Sequence, residues 1–243
     1  MKVKYVLMLF LCLLSVVGCR KSATHNRRSS SNNEVAVEQK KQDKTEDSNR
    51  RIERSKNPLS GSEIFDRYNS AVFMIITSDG THHYQGSGFF VGLHGLAVSN
   101  YHVFQGTYVG EEYIKIAGDD ENLYKVNSII YRSKEPDFIV FKVDYDNHNY
   151  IPIADEKPKV GDKVYAIGSP RGLENTFSSG EISQWRSDYL MQTNAMIDHG
   201  SSGGALINEY GEVVGITSGS LYDGSQANLN YAWSISAVKG HLK

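Results

Sequence analysis

Residues 58–243 predict an all-β fold with short helices at its two ends. Apolar runs of strand length recur through this segment, and Asp79-Gly80, His94-Gly95 and Gly118-Asp119-Asp120 separate them as turns do. The segment is also long enough for one domain with a substantial core. At its start, Ser60-Gly61-Ser62-Glu63 has the form of a capping box, which predicts a short helix over 64–68. A first set of strands is expected at 71–77, 84–91, 96–99, 113–116, 124–131 and 138–143. A second set follows at 164–167, 176–185, 189–193, 204–207, 213–218 and 229–233, with a closing helix over 235–242. No internal repeat is present.

The chemistry is concentrated in Gly200-Ser201-Ser202-Gly203-Gly204-Ala205-Leu206, where a serine hydroxyl stands between glycines ahead of an apolar strand. Flanking glycines open backbone conformations closed to other residues, and the N–H groups of Gly200 and Ser202 can aim at one oxyanion. A Gly/Ser run between strands is also an ordinary turn. Two upstream residues raise it above that. His102 ends the apolar run Leu96-Ala97-Val98-Ser99-Asn100-Tyr101-His102, and Asp137 opens Asp137-Phe138-Ile139-Val140-Phe141. A carboxylate entering a buried strand needs a partner, and an imidazole N–H supplies one. A serine is a poor nucleophile until an imidazole takes its proton, and the imidazole needs an acceptor that fixes its tautomer. His102, Asp137 and Ser202 are the candidate catalytic residues, with Gly200 and Ser202 as backbone oxyanion donors.

The residues resemble the trypsin-like, chymotrypsin-fold serine proteases, nearest the bacterial HtrA/Deg branch. Gly86-Ser87-Gly88-Phe89-Phe90-Val91, Ser99-Asn100-Tyr101-His102-Val103 and Asp137-Phe138-Ile139-Val140 are each similar to a motif of that branch. So are Gly161-Asp162-Lys163-Val164-Tyr165-Ala166-Ile167-Gly168-Ser169-Pro170 and Ser179-Gly180-Glu181-Ile182-Ser183, in the branch's order. The resemblance implies a double six-stranded β-barrel with the active site between barrels, His102 and Asp137 coming from the first and Ser202 from the second. It implies a substrate bound as an extended strand along Thr217, Ser218 and Gly219. Polypeptide substrates are expected, and a homo-oligomer is allowed. As given, the sequence has no PDZ-sized segment after this unit.

Three positions depart from the branch's pattern: Ser201 stands for asparagine, Ala205 for proline and His199 for a common proline. All three bear on the rigidity of the oxyanion loop. Met196 occupies the position that carries aspartate in relatives cutting after Lys or Arg, so small or medium aliphatic side chains are expected in its pocket. Cleavage after acidic residues is the alternative, with His199 as counter-charge.

The start of the chain predicts export. Lys2 and Lys4 precede a short apolar run that ends Val16-Val17-Gly18-Cys19, a secretory-signal pattern whose ending resembles a bacterial lipobox. Residues 1–18 are thus expected to be a lipoprotein-type signal peptide, and Cys19 a lipidated first residue anchoring the protein to a membrane of the bacterial envelope. Cys12 and Cys19 are the chain's two cysteines, so cleavage before Cys19 leaves no pair for an intramolecular disulfide. Residues 19–57 read as a disordered tether, poor in apolar side chains. Residues 20–57 carry 11 Lys+Arg against 6 Asp+Glu, whereas residues 58–243 carry 13 against 22. That acidic balance disfavours nucleic acid as a partner.

No cofactor is expected. His82, His83 and His94 lack ligand spacing and read as surface hairpin residues, so no metal site is expected. Two functions follow: a membrane-tethered serine endopeptidase acting on unfolded or damaged envelope proteins, or a peptide-binding, chaperone-like module that keeps the fold with little turnover.

Overall fold

The computed structural model describes residues 52–108, 110–169, 175–220 and 229–242. The expected signal peptide, Cys19 and the expected tether up to residue 51 lie outside the described residues. Residues 52–57, expected within the tether, instead lie against the folded domain. Ile52 packs on the core, its N–H donates to the Tyr150 hydroxyl at 2.9 Å, and the Ser55 N–H donates to the Tyr210 carbonyl at 2.8 Å. One apolar side chain and two backbone bonds to distant segments are enough to dock this stretch, which composition alone does not reveal.

The first helix, α1 (Gly61–Tyr68), starts where the capping box places it. The Ser60 side chain accepts from the Glu63 N–H, and the Glu63 carboxylate accepts from the Ser60 N–H at 2.8 Å. Twelve strands follow among the described residues. In the first barrel they are β1 (Val72–Ser78), β2 (His83–Phe90), β3 (Leu96–Ser99), β4 (Tyr113–Ile116), β5 (Tyr124–Lys134) and β6 (Asp137–Val143). The second has β7 (Lys163–Gly168), β8 (Thr176–Trp185), β9 (Leu190–Thr193), β10 (Ala205–Asn208), β11 (Val213–Ser220) and β12 (Asn230–Ser234). All ladders between these strands are antiparallel, and each set closes on itself, in the orders β1-β2-β3-β6-β5-β4 and β10-β11-β12-β9-β8-β7. Closure removes the exposed edges that an open sheet would leave. The expected all-β double barrel is the observed architecture.

Three cores explain the patterning. Phe73, Ile139 and Phe141 fill the first barrel, and Ala166, Leu206 and Val214 the second. The third core is the seam between barrels, where Val72, Phe138 and Val140 meet Tyr165, Ile167 and Ile216. Side chains alternate along a strand, so β6 sends Ile139 and Phe141 into its barrel and Phe138 and Val140 into the seam. Burial on both faces is why residues 138–141 form an unbroken apolar run, between Asp137 at the strand's first residue and the exposed Lys142.

The closing helix expected over 235–242 is replaced by two 3₁₀ turns, Ile235–Ala237 and Lys239–His241. Their bonds span three residues, from the Val238 N–H to the Ile235 carbonyl and from the His241 N–H to the Val238 carbonyl. Ile235 and Val238, buried three residues apart, satisfy a 3₁₀ period as well as an α one. His241 then stacks on Tyr131 of β5, 3.6 Å between ring centres. Among the described residues no helix is long and apolar enough to cross a membrane.

Candidate active site

The seam between barrels opens at the ends of β3 and β6. These strands pair with Ser99 opposite Ile139, so the turn after β3 and the start of β6 lie side by side. His102 sits in that turn (Tyr101–Phe104), and its Nδ1 lies 2.6 Å from Asp137 Oδ2. The second oxygen, Asp137 Oδ1, accepts the His102 backbone N–H at 3.0 Å. The carboxylate therefore grips both the ring and the backbone of one residue, which restricts the ring's rotation as well as its tautomer. Asn100, fully buried, donates from its carboxamide to the Asp137 carbonyl at 2.8 Å and holds the start of β6 in place. The Asp137 side chain is 13% exposed and that of His102 44%, so the pair has a sheltered acceptor and an accessible ring.

Ser202 lies in the loop between β9 and β10, and three successive carbonyls of this loop are tied down. The Gly200 carbonyl accepts from Ser87 Oγ at 2.7 Å, the Ser201 carbonyl from Thr217 Oγ1 at 2.6 Å, and the Ser202 carbonyl from the Ser87 N–H at 2.8 Å. Ser87 belongs to the first barrel, so the loop is seated directly against it. Among the described residues, neither the Gly200 nor the Ser202 N–H is taken by a protein acceptor, leaving both able to receive an anionic oxygen. Also among the described residues, Ser202 Oγ makes no hydrogen bond to His102. Such contacts commonly tighten only when a substrate fills the site.

Gly203 shows why this loop is glycine-rich. Its φ is +90°, and a Cβ there would overlap Ser87 O and Ser99 Oγ. Its own N–H donates to the Thr217 carbonyl at 2.7 Å. A Gly203→Ala exchange meets both left-handed strain and a backbone collision, and is expected to cost about 3 kcal/mol or more. Thermal melting should show it as a fall of about 10 °C for a domain of this size; an unshifted melting temperature would contradict the seating of this loop.

Ser218 and Gly219 line the other side of the site. β10 pairs with β11 as far as Ile216 and the bonds continue through Thr217 to Gly203 and Gly204, so among the described residues this edge of β11 is open from Ser218 onward. A Cβ on Gly219 would stand 3.7 Å from Ser202 Oγ, which puts the open edge next to the hydroxyl. Thr217, expected along the substrate edge, is turned to a different task. It is 1% exposed, and its N–H, carbonyl and hydroxyl bond Gly204, Gly203 and Ser201 respectively, leaving nothing for a substrate. Met196 is 66% exposed, with its carbonyl accepting from Ser178 Oγ at 2.7 Å, so its side chain stands on an open rim. Ser87, Ser99 and Asn100 were not singled out by sequence reasoning; their one signal is a polar residue inside strands and turns that are otherwise buried.

The clearest displaced titrations lie away from this cleft. The Tyr84 hydroxyl, together with the His82 and Thr81 N–H groups, holds the Asp79 carboxyl below the ordinary range, and Asp79 in return raises Tyr84. A hydrogen bond to Asp119 pushes Tyr124 up to about 12. His82 and His94 lie beside single aspartates, Asp79 and Asp146.

Residues 86–216 match the family model of the trypsin-like peptidase domain, and the chain belongs to that family. The sequence is also similar to proteases of the DegP and DegS type. It is 35% identical over 162 residues to a periplasmic serine endoprotease, DegP-like, of Rhizobium meliloti (strain 1021), covering 63% of this chain and 31% of that protein. To the serine endoprotease DegS of Haemophilus influenzae (strain ATCC 51907 / DSM 11121 / KW20 / Rd) it is 33% identical over 174 residues, covering 65% and 49%. The crystal structure of the serine endoprotease from Yersinia pestis superposes with a TM-score of 0.65 at 28% identity, covering 76% of this chain and 66% of that one. The match thus spans about a third of the length of one curated relative and about half of the other.

Proposed function

We propose that this protein is a serine endopeptidase in which Ser202 is the nucleophile, His102 the general base and then acid, and Asp137 the orienting carboxylate. The observation that carries this reading is the double grip of Asp137 on His102, beside a serine loop seated on the same barrel. With its Nδ1 proton held by Asp137, the ring presents Nε2 as a base. Ser202 Oγ attacks the substrate carbonyl as its proton passes to Nε2, and the resulting oxyanion is received by the N–H groups of Gly200 and Ser202. Nε2 then returns the proton to the leaving amine, and water repeats the sequence on the acyl-enzyme.

The open edge at Ser218 and Gly219 supports binding of the peptide as an added strand, which draws affinity from backbone bonds and so tolerates varied sequences. That suits unfolded or damaged polypeptides of the bacterial envelope, the compartment named for the periplasmic relative. Met196 would meet the substrate from an open rim and favour apolar side chains. Tethering through a lipidated Cys19 completes the proposal. The mass of the mature amino-terminal peptide is expected to equal that of residues from Cys19 plus its acyl groups, and an unmodified Cys19 would remove the anchor.

The missing hydrogen bond between Ser202 and His102 favours a second reading, a peptide-binding, chaperone-like module with little turnover. A fluorophosphonate probe separates the two. Covalent labelling that maps to Ser202 is expected; peptide binding without labelling would support the module instead.

A further inference from the structure

We infer that Ser87 is a positioning residue for the oxyanion loop, an inference that rests on the serine-peptidase reading above. Ser87 is fully buried in β2 between Gly86 and Gly88, and both its N–H and its hydroxyl are used at the contact between barrels. Its hydroxyl donates to the Gly200 carbonyl at 2.7 Å and accepts the Ser169 N–H at 2.8 Å. Its N–H donates to the Ser202 carbonyl at 2.8 Å, and its carbonyl accepts the Ser99 hydroxyl at 2.7 Å. A single residue of the first barrel therefore grips the serine loop on both sides of Ser201, from 113 positions away along the chain.

The direction of each bond gives the hydroxyl its task. An amide N–H can only donate and a carbonyl can only accept, so Ser169 and Gly200 together fix the Ser87 proton toward Gly200. Gly200 has φ +92° and no side chain of its own to select that conformation. The peptide plane that follows it is held at both ends, its carbonyl by Ser87 Oγ and its N–H, that of Ser201, by the Asp198 carbonyl at 3.0 Å. The Gly200 carbonyl, held by Ser87 Oγ, fixes the peptide plane that joins Gly200 to Ser201, and the Ser201 carbonyl, held by Thr217 Oγ1, fixes the plane that carries the Ser202 N–H, so Ser87 sets the plane that lies next to each donor's own. Ser87 makes no hydrogen bond with His102 or Asp137, so its hydroxyl acts through the serine loop and leaves that pair's contact in place.

The test compares the full-length protein with Ser87→Ala, Ser87→Cys and Asn147→Ala, using hydrolysis of a fluorogenic peptide, the rate of fluorophosphonate labelling and thermal melting. Ser87→Ala is expected to lower kcat about tenfold to a hundredfold, less than the loss of a direct oxyanion donor, with KM within about threefold. The apparent pKa of its pH–rate profile should match the wild type, because the His102–Asp137 contact is untouched. Ser87→Cys keeps the shape with a weak donor and should fall between, and it carries the test if the alanine variant does not fold. Asn147 is a control for general loosening: its buried side chain bonds Gly92, Gly95 and Asn149 at the far end of β3, so Asn147→Ala should lower melting without lowering kcat. Wild-type kcat in a folded Ser87 variant overturns the inference, as does an equal kcat loss in Asn147→Ala. A wild-type protein that neither labels nor cleaves refutes the peptidase reading itself, a result distinct from either.

Discussion

Ser202→Ala is expected to lower kcat for peptide hydrolysis about a millionfold while leaving the melting temperature within about 2 °C of the wild type. The two halves of that expectation come from different parts of the loop. What seats Ser202 is its carbonyl, bonded to the Ser87 N–H, together with the bonds of Gly200 and Ser201 on either side. The exchange removes only Oγ, which has no hydrogen bond to His102 to lose. Folding therefore stays while the attacking atom goes. The residue of activity would come from the oxyanion donors and from binding along β11. A variant that retained more than about a thousandth of wild-type kcat would exclude Ser202 as the nucleophile.

Asp137→Asn is expected to reduce kcat by about four orders of magnitude. The geometry says how. Asp137 accepts two N–H groups of His102, from the backbone and from Nδ1, one on each oxygen. Asparagine has one oxygen and one NH₂. If its oxygen keeps the backbone N–H, the NH₂ faces Nδ1, which must then accept; the ring proton moves to Nε2, and the base is blocked. If the side chain flips, the ring keeps its tautomer but the NH₂ opposes the backbone N–H of the same residue. Asp137→Glu is a weaker test, since it shifts the carboxylate without removing either acceptor. Measurement of kcat across pH, with circular dichroism to verify the fold, checks the expectation, and turnover within tenfold of wild type would remove Asp137 from the mechanism.

Sequence pattern located the barrels because burial wrote it. β6 was readable as a strand from an apolar run, and its two-sided burial explains the run's lack of alternation. The capping box at Ser60 located α1 because both of its bonds are local. His102 and Asp137 were legible as residue types that need each other, and strand pairing brings them into contact. Thr217 was not, since its period along β11 allows either face of the strand, and only the fold turns its hydroxyl toward Ser201. Ser87 was read as one letter of a glycine-flanked motif; its partners Gly200 and Ser169 are too remote in the chain for any local pattern to connect them. The last turns illustrate a third case, a spacing compatible with two kinds of helix, decided by what Val238 and His241 pack against.

The segments flanking the two barrels each cross to the other half. Before β1, Leu59 and α1 lie on the second barrel, where Phe65 meets Phe177 edge to face and the Leu59 N–H bonds the Glu209 carbonyl. After β12, His241 lies on Tyr131 of the first. Like crossed arms, these straps would both have to be released for the halves to rotate apart. On the peptidase reading, differently shaped chains would then be accommodated along the free edge of β11 from Ser218 onward, with the His102–Asp137 contact left undisturbed.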